Sequence, residues 1–142
     1  MAAEYSYTLT QTVGEDANIL FNNGDRVCRK GLITHNDGSG TFRLKGCGCK
    51  TIYRVSFHAN IAVATGGTVG GPISIALQED GETVGNAVAI VTPAAIGDFF
   101  NVSFDTFVIL TCGCCTTVAV KNISDGTAID VANANIIFER VA

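Results

Sequence analysis

Residues 52 to 63 alternate without a break: Tyr53, Val55, Phe57, Ala59, Ile61 and Val63 fall on one side, and Arg54, Ser56, His58 and Asn60 on the other. Successive side chains of a strand point to opposite faces, whereas a helix would scatter these apolar positions around its circumference. The stretch therefore predicts a long strand with one face in a core and one face outside it. The same period recurs after Pro72, where Ile73, Ile75 and Leu77 alternate with Ser74, Ala76 and Gln78, and Glu79-Asp80-Gly81-Glu82 supplies a hairpin turn into residues 84 to 91. Further strands are predicted at 98 to 110, with Phe100, Val102 and Phe104 inward, at 116 to 122, and at 135 to 141. Shorter candidates lie at 5 to 10, 18 to 21, 27 to 34 and 41 to 45, broken by Asn22-Asn23-Gly24 and by Asn36 to Gly40. With 16 Gly punctuating 142 residues, eight to ten such strands predict an all-β chain: a two-sheet antiparallel sandwich or jelly roll, about ten strands, in a single domain spanning 1–142.

Composition narrows what such a sandwich does. Charged residues make up 15% of the chain and apolar residues 47%, which excludes disorder and leaves an apolar surface best covered by another copy of the chain. Nine scattered basic residues against 13 acidic ones exclude a phosphate-binding face, so nucleic acid is not an expected partner. The most apolar stretch, 59 to 77, is interrupted by Asn60, Gly66, Gly67, Gly70, Gly71 and Pro72, and no membrane insertion is expected. The first residues lack a basic region followed by an apolar one, so the chain is expected to be made in the cytoplasm without a signal peptide and to work outside through lysis, particle assembly or an unusual exporter.

No residue pattern marks a catalytic centre. His35 and His58 stand outside any triad-like motif, and the glycine-rich run Thr65 to Pro72 lacks the Gly-Lys-Ser/Thr ending of a phosphate loop. The N-glycosylation patterns Asn101-Val102-Ser103 and Asn122-Ile123-Ser124 read as chance, and Asp37, Glu79, Asp80, Glu82 and Asp125 read as solvated turn carboxylates. No enzyme, cofactor or metal is expected.

The segment His35-Asn36-Asp37-Gly38-Ser39-Gly40-Thr41-Phe42 entering a strand, the Tyr53-led strand, the hairpin at Ile73 to Leu77 and a last strand ending in Phe138 together resemble the tumour-necrosis-factor and complement globular-head superfamily. Collagen-like bacterial spore-surface proteins and related phage proteins carry domains of this type. The resemblance implies a ten-strand jelly roll assembled as a homotrimer around a threefold axis. It also implies that Arg54, Ser56, His58 and Asn60 lie on the outer face of the strand nearest the neighbour.

Six cysteines fall as Cys47-Gly48-Cys49, Cys112-Gly113-Cys114-Cys115 and an isolated Cys28. In the implied topology the strand ending at Lys45 pairs with the one starting at Thr116, and the strand from Ile52 neighbours the one ending at Leu110, which brings both clusters to one end. Cys47, Cys49, Cys112, Cys114 and Cys115 then have three readings: cross-loop or inter-subunit disulfides, which the compartment rule favours, reduced thiols packed beside glycine, or a zinc site. Cys28 reads as a buried apolar residue. The function expected from these features is a non-enzymatic structural or adhesive module, homotrimeric, on an extracellular particle such as a spore surface or a phage virion. The alternatives are a soluble module binding a cell-surface receptor or carbohydrate through the loops opposite the cysteines, and a disulfide-linked fibre subunit.

Overall fold

The computed structural model describes residues 2–26, 32–46, 48–111 and 115–142. These residues form eleven strands: β1 (Ala2–Tyr7), β2 (Gln11–Val13), β3 (Asn23–Arg26), β4 (Ile33–Thr34), β5 (Thr41–Lys45), β6 (Lys50–Val63), β7 (Ile73–Glu79), β8 (Glu82–Val91), β9 (Phe100–Thr111), β10 (Cys115–Asn122) and β11 (Ile129–Arg140). One sheet runs β3-β1-β11-β6-β9, with β2 continuing beside β11, and the other runs β4-β5-β10-β7-β8. Every pairing is antiparallel, and the last strand lies in the middle of its sheet, as a jelly roll requires.

The predicted inward face of β6 is buried along its whole length, Tyr53 through Val63. It packs on Phe21, Phe42, Leu44, Leu77, Val118 and Val120, which are fully buried. Tyr5, Phe21, Phe42, Phe57, Phe104 and Phe138 form a tilted and edge-to-face aromatic chain through this core. His35 belongs to it, stacked on Phe42 at a centroid distance of 4.4 Å. Its Nε2 donates to the Ser39 carbonyl at 2.9 Å, so this histidine anchors the turn into β5. The hairpin between β7 and β8 is a two-residue turn, with Asp80 and Gly81 both at positive φ and Glu79 opposite Glu82.

Three local readings of the sequence are corrected. Residues 18 to 21 do not form a strand. Ile19 and Phe21 are fully buried, but regular pairing is replaced by isolated bridges to Lys121 and Ser39 and by the Gln11 amide, which accepts from the Leu20 N–H and donates to the Leu20 carbonyl, both at 2.9 Å. Asn22-Asn23-Gly24 is no break, because β3 begins at Asn23. Phe100 has the inward parity of its strand yet remains 41% exposed, since it sits at the open end of an edge strand. Gly40 lets the segment at Asn18 and Ile19 pass close to the entry of β5: a Cβ there would lie 2.7 Å from the Asn18 Cβ and 2.8 Å from the Ile19 carbonyl oxygen.

Candidate interaction face

The outward side of the six-stranded sheet is built in layers by strand register. At one end Ile52 lies opposite Ile109, and Arg54 lies between Phe107 and Glu139. The next layers carry Asp105, Ser56 and Ile137, then Ser103, His58 and Asn135, then Asn101 and Asn60. One end of the face is thus apolar, the middle holds charge, and the other end holds amides and hydroxyls.

The central charges neutralise one another. Arg54 Nε donates to both Asp105 carboxylate oxygens, at 3.1 and 3.0 Å, Nη2 donates to Oδ2 as well, and Ser56 Oγ donates to Oδ1 at 3.1 Å. The Arg54 hydrogen bond holds the Asp105 carboxyl below its usual range, and the same bond raises the guanidinium above its own. Above them the amides form a directional row: Asn101 Nδ2 donates to Asn60 Oδ1 and Asn60 Nδ2 to Asn133 Oδ1, each at 3.2 Å.

Arg54 and His58 are exposed, and Ser56 and Asn60 half-buried, all on the outward face where the sequence places them. The large apolar side chains beside them escaped the sequence reading. Phe107 is 60% exposed and Ile109 51%, and with Val141 and Glu139 they line a shallow groove of about 690 Å³ that also reaches Asn86 of β8. Thr106 Oγ1 donates to Asn86 Oδ1 at 3.2 Å, joining the edge strands of the two sheets behind this groove. Of the exposed large apolar residues, Ile90, Ile96, Phe99, Phe100, Phe107 and Ile109 all lie on β8, β9 or the loop between them. Strict alternation continued from Phe104 would have turned Phe107 and Ile109 outward.

At the opposite end of the strands from the Asn101–Asn60 layer, the strand ends that flank two connections between the sheets are neighbours. Cys115 pairs with Lys45, and Lys50 pairs with Thr111, so the described strand ends on either side of the two connections adjoin. The Tyr53 hydroxyl donates to the Lys45 carbonyl at 2.7 Å and ties the two sheets together there. Cys49 and Cys115 are exposed free thiols, whereas Cys28, Cys47, Cys112 and Cys114 lie outside the described residues.

No protein-family profile matches the chain, and no curated protein matches it. Solved structures do. Eiger TNF from S. frugiperda superposes with a TM-score of 0.73 at 15% identity, over 100% of this chain and 92% of that one. Murine APRIL gives 0.68 at 11% identity, over 99% and 100% of the two chains. The chain has a TNF-like jelly-roll fold. The globular domain of zebrafish complement 1qA protein shares it, with a TM-score of 0.67 at 13% identity over 99% of this chain and 97% of that one.

Among the described residues of this TNF-like jelly roll, no carboxylate is hydrogen-bonded to either histidine. His35 is half-buried, stacked on Phe42 and bonded to the Ser39 carbonyl, and His58 stands on the outward face among Ser103, Asn135 and the amide row. Of the two sequons, Asn122 is fully buried with its amide engaged, and Asn101 is exposed in the amide row.

Proposed function

We propose that the protein is a non-enzymatic structural or adhesive module that self-associates as a homotrimer, with the outward face of the six-stranded sheet and the β8–β9 edge forming the contact, and that it is displayed on an extracellular particle such as a spore surface or a virion. The observation that carries the self-association is the concentration of exposed Phe and Ile on one edge, next to a sheet face whose central charges are paired with each other. A closed ring needs two different complementary patches on each subunit, here an apolar edge and a weakly charged face. Ile90, Phe100, Phe107 and Ile109, exposed along the adjoining edge strands β8 and β9, exceed the scattered single residues normal for a free surface. The complement and TNF structures that share the fold support a role in binding and assembly rather than catalysis.

The particle is the part of the reading that rests on the resemblance. Immunogold labelling of intact spores and virions from the producing organism tests it: gold on the outer surface of either is expected, and gold confined to the cytosol overturns it. A receptor- or carbohydrate-binding role draws support from a different observation. Val69, Ile96 and Phe99 are between 41% and 49% exposed on the two loops opposite the crossovers, where the Gly97 N–H donates to the Val63 carbonyl and holds the β8–β9 loop against the end of β6.

A further inference from the structure

The crossover end of the sandwich carries charges and thiols that the self-association above leaves unused. The β7–β8 hairpin brings Glu79, Asp80 and Glu82 to the corner beside Cys115: Asp80 Oδ1 accepts from the Thr117 N–H at 2.9 Å and Oδ2 accepts from Thr116 Oγ1 at 2.8 Å. Lys45 lies directly across from Cys115, and Lys50 follows Cys49 on the other sheet. Lys45, Cys49, Lys50, Asp80, Glu82 and Cys115 are all exposed. Among the described residues the ion pairing is confined to Arg54 and Asp105, so Lys45, Lys50, Asp80 and Glu82 carry no salt bridge to one another.

We propose that this end docks a second copy of the chain about a twofold axis, the acidic hairpin of each copy against the lysines of the other, and that Cys49 and Cys115 cross-link the two copies. A twofold contact presents the same patch from both sides, so a surface that is acidic at one corner and basic at the other is complementary to itself. Burial first, and then repulsion from Asp80, raise the Glu79 carboxyl above its usual range, a strain that a cation from a partner would relieve.

The thiols fit the same contact. Cys115 starts a strand of one sheet and Cys49 precedes a strand of the other, and both thiols are free and exposed at this end, open to a partner copy. With oxidised glutathione as oxidant, the Cys115 thiolate attacks one sulfur and releases one glutathione thiolate. The thiolate of the partner subunit's Cys49 then displaces the second, leaving one protein disulfide and two reduced glutathiones, which take the electron pair and the two protons.

Full-length protein incubated with oxidised glutathione and run on non-reducing gels tests the proposal. A band at twice the subunit mass is expected, reversed by dithiothreitol and reduced several-fold in 1 M salt, where charges are screened beyond about 3 Å. The double variant Cys49→Ser/Cys115→Ser should lose the band. Glu79→Lys/Glu82→Lys should weaken it several-fold, and adding Lys45→Glu/Lys50→Glu should restore it. No doubled band in the unaltered protein, a band that survives the cysteine substitutions, or one indifferent to the charge swaps overturns the proposal. The trimer reading stands or falls separately, on mass measured in reductant.

Discussion

Replacing Asn122 by alanine should lower the unfolding free energy by about 3–5 kcal/mol, because one buried amide serves four backbone groups, and each buried group left unpaired costs about 1–3 kcal/mol. The two hydrogens on its Nδ2 are shared among the carbonyls of Val13, Gly14 and Thr127 at 3.1, 3.1 and 2.9 Å, and its Oδ1 accepts from the Ser124 N–H at 2.9 Å. These partners belong to the end of β2 and to the β10–β11 turn, so the side chain fastens both sheets at one point. Against a total stability of about 5–15 kcal/mol such a loss is severe. Asn122→Asp should be no better, since a carboxylate would face three carbonyl oxygens without a proton to offer. Asn101→Ala, which breaks one exposed amide contact, should change stability by less than about 0.5 kcal/mol. Urea denaturation of the three variants checks this, and an Asn122→Ala loss under 1 kcal/mol would show that the clip is not what holds this end closed.

The double variant Phe107→Glu/Ile109→Glu should convert the proposed trimer to monomers while leaving far-ultraviolet circular dichroism unchanged. Both side chains point out of the sheet and are more than half exposed in the isolated chain, so the core has no stake in them. Burial of their remaining apolar surface is worth about 1–2 kcal/mol each. The contact occurs three times in a ring, so the two substitutions remove about 6–12 kcal/mol per trimer before repulsion between the new carboxylates is counted. A variant that keeps its assembly would move the interface elsewhere.

How far the sequence discloses this architecture depends on whether alternation runs unbroken. It does in β6, and the buried face follows residue for residue. It does not in β11: Ile129 and Val131 face inward, and so do Ala134, Ile136 and Phe138, with the parity shifted at a bulge where Asn133 takes a φ of 56°. Reading from the last phase alone therefore finds only the strand from Asn135 onward. At 18 to 21 the apolar residues are real core, but a glutamine side chain stands in for a neighbouring strand, and nothing in local propensity signals that substitution. The polar half of the interaction face was legible because Arg54, Ser56, His58 and Asn60 share one parity. Its apolar half lies on the neighbouring strand, where Phe107 and Ile109 resemble core residues until the register is known.

Light-scattering mass of the unaltered protein in reductant tests the central claim most directly. Three subunit masses are expected at micromolar concentration and below. A single subunit mass, held as the concentration is raised a hundredfold, would contradict it.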